Sequence, residues 1–146
     1  MRYNLVLAVL IMFFYGSCKS PSPVQRYENY KGAKLILGSG GGFTGEYKEF
    51  IILENGEIFK RSTFNDKLEY LGKLKKNDAL QLFENYHHLG LDKKAVNLPG
   101  NMNKYIKFVK DGKEHVLQWS YDKSKMVDPQ IEIFYKIAMK MIKGRK

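Results

Sequence analysis

The sequence predicts an α+β fold: an antiparallel β-sheet of hairpins with two α-helices packed on one face. Two observations predict it. Two turn dipeptides, Asn55-Gly56 and Asp111-Gly112, each join two β-prone runs, and such pairs favour tight hairpins because both central residues take positive φ. Two other segments carry apolar residues at helical spacing, one over 76–89 and one after Asp128. The chain therefore reads as two successive hairpin-then-helix units, a pattern that buries one sheet face under helices.

The first element is not part of the fold. Arg2 gives a positive start, and Leu5 to Tyr15 is an unbroken apolar run of eleven residues. That run falls short of the ~20 residues a membrane-spanning helix needs, and it suits the apolar region of a signal peptide. Gly16 and Ser17 then precede Cys18, the only cysteine. A lone cysteine in an exported chain forms no internal disulfide. This stretch resembles the leader of bacterial lipoproteins, in which small residues precede a cysteine that is acylated and becomes the first mature residue. It departs at Tyr15, where leucine is usual, although relaxed versions occur in Bacteroidetes-like sequences. The resemblance implies that residues 1–17 are a signal peptide, that Cys18 is lipidated, and that the protein is anchored to a membrane. No aspartate follows Cys18. By the same resemblance this implies the outer membrane, and since no acidic cluster follows either, the periplasmic leaflet rather than the cell surface. Residues 18–30, KSPSPVQRYENY after the cysteine, hold two Ser-Pro steps and few apolar residues. They read as an extended, flexible tether. A single domain is then expected over 31–146.

Within that domain Ala33–Leu37 is a short apolar strand candidate and Tyr47–Leu53 the next. The Asn-Gly turn predicts that Leu53 pairs with Ile58 and Ile52 with Phe59. Leu68–Leu74 is a further strand. Asn77 or Asp78 can cap a helix whose stripe is Ala79, Leu82, Phe83 and Tyr86, and Leu89-Gly90-Leu91 reads as its glycine stop. Tyr105–Val109 and Glu114–Tyr121 form the second hairpin. Its register pairs Phe108 with His115, Ile106 with Leu117 and Lys104 with Trp119, which puts Ile106, Phe108, Leu117 and Trp119 on one core-facing side. Asp128-Pro129 starts the last helix, cap followed by proline, with Ile131, Phe134, Tyr135, Ala138, Met141 and Ile142 as its stripe.

Between the first two strands lies GSGGGFTG, residues 38–45. Gly40, Gly42 and Gly45 satisfy G-x-G-x-x-G, but the following segment reads as strand, not as the helix whose N-terminus binds a dinucleotide phosphate. No Lys-Ser or Lys-Thr pair follows, which excludes a P-loop. Two readings remain. One is a tight or bulged strand connection. The other is an exposed loop of Gly40, Gly41, Gly42, Phe43, Thr44 and Gly45 that contacts a partner, with Phe43 as its apolar tip.

The remaining chemistry is sparse. The net charge is +10, and only Arg2, Arg26, Arg61 and Arg145 among the 25 basic residues are arginine. Lysine is a hydrated point charge, whereas arginine grips phosphate with a planar fork, so no nucleic-acid partner is expected. His87 and His88 are adjacent and point apart on a helix, so they cannot share a metal as an i, i+4 pair can. They complement the helix dipole in its last turn. His115 reads as a half-buried histidine with a backbone partner. Glu54 and Glu57 flank a solvated turn, and Ser62, Ser120 and Ser124 lack any nucleophile motif. Trp119 with Tyr105 and Tyr121 is a candidate stacking surface for a sugar or base, or else core and rim packing. No catalytic residue, metal site or cofactor is expected, and the protein is not read as an enzyme.

Gly41-Gly42-Phe43-Thr44-Gly45 resembles the G-G-F-small-G motif of the emfourin family, small inhibitors of thermolysin-type metallopeptidases. The order of elements over residues 33–142 is also similar: a strand into the motif, an extended segment, a leucine-rich helix, a tyrosine-containing hairpin and an apolar C-terminal helix. The strand region Glu46–Leu74 is longer than in that family, and the leader is an addition. The resemblance implies a peptidase as partner and the Gly41–Gly45 turn as the contact. The function expected is that of a membrane-anchored, periplasmic, non-catalytic module binding another envelope protein. The alternative is a structural envelope lipoprotein whose lysines meet acidic polymers or lipid headgroups.

Overall fold

β1 (Lys34–Gly41) organises the sheet, because it is paired along its whole length on both sides. The computed structural model describes residues 20–144, so the leader and Cys18 lie outside the described residues. Six further strands follow: β2 (Glu46–Leu53), β3 (Glu57–Ser62), β4 (Leu68–Lys73), β5 (Asn97–Leu98), β6 (Met102–Lys110) and β7 (Lys113–Ser120). They form one sheet in the order β4-β3-β2-β1-β6-β7-β5. All pairings are antiparallel except the short parallel contact of β5 with β7. The predicted α+β class is the class observed.

Two helices cover one face, as the periodicity requires. α2 (Lys76–His88) buries Ala79, Leu82, Phe83 and Tyr86, and α3 (Pro129–Lys143) buries Ile131, Phe134, Tyr135, Ala138 and Ile142. They close over Leu35, Leu37, Ile52, Ile58, Ile106, Phe108, Leu117 and Trp119. Here the chemistry of the second turn sets the register without help. Asp111 and Gly112 both take positive φ, and Phe108 pairs His115, Ile106 pairs Leu117 and Lys104 pairs Trp119 as expected. The Asp128 side chain caps α3 by accepting from the Gln130 N–H. α2 differs at its start: its cap position is Lys75, with no side-chain bond, and Asp78 sits in the first turn instead.

The first hairpin departs from expectation by one residue. Ile52 pairs Ile58 and Ile51 pairs Phe59. The turn has three residues, Glu54, Asn55 and Gly56, closed by the Gly56 N–H on the Leu53 carbonyl at 2.8 Å. Only Gly56 has positive φ there, the geometry of a type I turn followed by a left-handed glycine. A slip of one residue exchanges the faces. Ile51, Leu53 and Phe59 therefore lie on the face opposite α2 and α3, in a second apolar cluster with Ile36.

That second cluster has its own cover. Ser22 and Gln25 form a capping box that starts a short helix, α1 (Pro23–Glu28), within the segment expected to be an extended tether. Tyr27 packs on Phe59 at 5.2 Å between ring centroids. Arg26 Nε donates to Glu57 Oε1 at 2.8 Å, and its guanidinium lies 5.7 Å from the centre of the Tyr70 ring. Glu57 is only 5% exposed, so it is not the solvated turn carboxylate the sequence suggested. Burial alone would raise its pKa, but the hydrogen bonds from Arg26 and Asn55 outweigh burial and hold it below its ordinary value of 4.5.

The sign of the pH response follows. A carboxylate with a depressed folded pKa contributes stability in full above its unfolded pKa and loses it as the pH falls past the folded value. The contact of α1 with the sheet should hold from about pH 5 to about pH 7 and loosen as the pH drops below about 4. Hydrogen exchange of residues 22–29 checks this. Arg26→Met should give the same increase in exchange at neutral pH, with the rest of the sheet unchanged.

Candidate functional site

The glycine stretch divides into two parts with different causes. Gly38, Ser39, Gly40 and Gly41 are strand residues, paired with β2 on one side and β6 on the other. Gly38 and Gly40 are buried. A Cβ on Gly38 would stand 2.1 Å from the Tyr105 ring, and one on Gly40 would stand 2.0 Å from the Glu46 carbonyl oxygen. Glycine at 38 thus leaves the space in which the directly paired Tyr105 lays its ring across β1. The expectation that Gly40 belongs to an exposed partner loop is corrected: it is packed inside the sheet. Only Gly42–Gly45 form the projecting turn.

That turn is a single 3-10 turn, Gly42–Thr44, ended by Gly45 in the left-handed region with φ 63°. The Gly42 N–H donates to the Asn101 carbonyl at 2.7 Å, which ties the turn to the loop before β6. Gly41 at φ 111° and Gly42 at φ 71° set the chain direction. Phe43 is thrust out with its side chain wholly in solvent, at 106% relative exposure. An aromatic ring left fully in water has no packing reason to be there.

Phe43 has company. The antiparallel register places the β3–β4 turn, the loop before β6 and the segment after β7 at this same end of the sheet. They carry Phe64, Tyr121 and Met126, and Met102 opens β6 beside them, all exposed. The Glu54–Gly56 and Asp111-Gly112 turns at the opposite end carry no large exposed apolar side chain of their own. The four loops thus form an apolar crest contributed by residues far apart in the chain. Single exposed apolar residues are ordinary, but several gathered at one end mark an interaction surface.

Beside the crest, α3 stands off from the sheet and leaves a cleft of ≈ 630 Å³. Ser39, Tyr121, Tyr135 and Met139 line it, with Lys104, Lys136, Lys140 and Lys143 around them. Lys104 is held from two sides, by Glu132 Oε1 at 2.8 Å and by the face of Tyr121 at 4.6 Å. Burial pushes the Tyr135 phenol up to about 12, so it remains a neutral donor, bonded to the Gly38 carbonyl at 3.3 Å.

On the other face a polar row crosses four strands. Glu49 is 4% exposed. It accepts from Arg61 Nη2 at 2.5 Å and Nε at 2.8 Å, and from the Tyr105 hydroxyl. Gly38 lies between Glu49 and Tyr105 in the register, and its missing side chain lets the two meet. Burial first, and then the bond to Glu49, raise the Tyr105 pKa far above that of a free phenol. The carboxylate is thus committed to two donors and the phenol is locked in its neutral form, an arrangement suited to holding strands together rather than to moving protons.

The other singled-out residues are separated. Trp119 is fully buried beneath α3 against Tyr135, Tyr105 lies on the opposite face, and Tyr121 is at the rim, so the three do not make a stacking surface. His115 Nε2 donates to the Lys94 carbonyl at 2.9 Å, and its Nδ1 is hydrogen-bonded to the Tyr86 hydroxyl at 2.6 Å; this is the half-buried histidine with a backbone partner that the sequence predicts. His87 pairs with Asp92 at 3.1 Å. Among the described residues no group of three or more His, Cys, Asp or Glu is placed to hold a metal ion, and no helix is long and apolar enough to cross a membrane. Phe43 was legible in the sequence. Phe64, Met102 and Met126 were missed, because only the strand register brings their loops together. No protein-family model matches the chain, and no curated protein matches it.

Proposed function

We propose that this chain is a non-catalytic protein-binding module, lipid-anchored through Cys18 to a bacterial envelope membrane, that engages another envelope protein through the Phe43 turn. The observation that carries this reading is the wholly exposed Phe43 on a turn fixed by glycine geometry and by the bond to Asn101. Aromatic residues presented on a rigid support are the usual anchors of protein interfaces, since little side-chain freedom is lost on binding. The direction of the sheet supports it as well. Arg26 Nη1 bonds the Pro21 carbonyl at 2.9 Å while the same guanidinium holds Glu57. The N-terminal segment is therefore gathered near the Glu54–Gly56 end, and the crest points away from it. The emfourin resemblance names the finer reading, a thermolysin-type metallopeptidase as the partner, and the protruding Gly42–Gly45 turn is compatible with insertion into a peptidase cleft.

The test uses the full chain expressed in its host envelope. A photo-crosslinking residue at position 43 should give one discrete crosslinked partner, and the same residue at position 113, at the far end of the sheet, should not. Phe43→Ala should weaken binding of the purified partner at least about tenfold, the usual size for loss of an aromatic anchor. Equal crosslinking from both positions, or unchanged affinity, would remove the turn from recognition. Direct assay against a thermolysin-type peptidase decides the inhibitor reading separately.

A further inference from the structure

We propose that the cleft between α3 and the sheet receives an acidic, apolar-bearing peptide segment of the partner, laid across Lys136, Lys140 and Lys143. This rests on the reading of the crest as a protein-binding surface and names the chemistry of what binds beside it. Lys136, Lys140 and Lys143 follow one another at i, i+4 and i+7 on α3, all exposed. That spacing puts them on one side of the helix. None has an ion-pair partner among the described residues. Lys140 and Lys143 in the last turn also complement the helix dipole, which acts only over that turn. Lys136 lies beyond it, and the dipole does not require all three to border one cleft.

The nearby carboxylate does not cancel them. Glu132 Oε1 is held by Lys104 at 2.8 Å and its Oε2 is buried without a hydrogen-bond partner, so the pair is neutral overall. Three uncompensated ammonium groups remain over a floor of Tyr135 and Met139. A bare anion would leave the floor unused. A bilayer surface would meet the exposed ammonium groups but leave the floor of Tyr135 and Met139 unused. A peptide carrying several carboxylates and one or two apolar side chains satisfies both parts. The site also continues from the crest: Tyr121 borders the cleft and its backbone N–H bonds the carbonyl of Met102, a crest residue, at 2.9 Å. A segment seated on the Phe43 turn can therefore run directly into the cleft.

A fluorescein-labelled decapeptide of alternating glutamate and leucine, titrated with the full chain, tests this. Binding should weaken strongly as ionic strength rises from about 0.05 M to about 0.3 M, where screening shortens to a few ångströms. The triple variant Lys136→Gln, Lys140→Gln, Lys143→Gln should lose about tenfold, which three exposed charge contacts supply at about half a kcal/mol each. A charge-matched triple at the other end, Lys31→Gln, Lys110→Gln, Lys113→Gln, should lose no more than about twofold. The glutamine–leucine peptide should not bind. Phe43→Ala should leave affinity for this peptide unchanged, so a failure of the crest and a failure of the cleft are read separately. Equal loss in the two triples would overturn the proposal in favour of general charge attraction. So would absence of peptide binding, or phosphatidylglycerol vesicles that bind more tightly than the peptide through the same three lysines.

Discussion

Gly40→Ala should destabilise the domain by about 3 kcal/mol or more, at the upper end of what an overpacked interior costs. The reason is what the new methyl would meet. Its Cβ would stand 2.0 Å from the Glu46 carbonyl oxygen and 2.6 Å from Tyr47 Cα. Both are backbone atoms of a paired strand, so no side chain can swing aside. Relief requires β2 to move away from β1, which gives up ladder bonds at the very place where the turn is fastened. Gly45→Ala is the comparison: nothing lies within 4 Å of its Cβ, and only the left-handed conformation opposes it, at about 1–2 kcal/mol. Urea unfolding of the two variants beside the parent checks the order. Equal midpoints would mean that the β1–β2 spacing is not the constraint inferred.

Glu49→Ala should be the second large effect, about 3 kcal/mol, the low end for breaking a buried ion pair because Arg61 keeps some solvent contact. The Arg61 side chain is 28% exposed, and it would lose its main partner while the Tyr105 hydroxyl also loses its acceptor. The interpretation has its own internal control. Most of the loss should come from stranded partners, so the double variant Glu49→Leu, Arg61→Met should recover part of the stability lost by Glu49→Ala. A double variant less stable than the single would show that the pair contributes net attraction instead.

These two positions also mark where sequence reasoning works and where it stops. The Asp111-Gly112 hairpin was readable because a two-residue turn fixes the register by itself and the flanking residues alternate cleanly. The Asn55-Gly56 hairpin misled because Ile51, Ile52 and Leu53 are all apolar and all buried. With both faces covered, a slip of one residue leaves no mark in the hydrophobic pattern. α1 had a local signal, Ser22 with Gln25 three residues later. Its stability, however, comes from Arg26 meeting Glu57 and Tyr27 meeting Phe59, contacts across about 30 positions that no local pattern encodes.

The candidate site divides in the same way. The Phe43 turn is one contiguous motif and could be singled out from its residues. The crest around it depends on strand order, as does the cleft, where three lysines are periodic along α3 but Lys104 and Tyr121 arrive from the second hairpin. The glycine-rich run reads as a ligand or partner loop, but its buried members have a packing cause. Two of them serve Tyr105 and the β1–β2 spacing rather than a ligand.

The placement of α1 and the crest at opposite ends of β1 has a mechanical consequence. A load applied between the N-terminal segment and the Phe43 turn runs parallel to the strands, across ladders whose hydrogen bonds lie perpendicular to it. Because the Phe43 turn follows directly on β1, such a load is carried by the already extended backbone of β1 itself, and the ladders on both sides hold that strand in place rather than being peeled bond by bond.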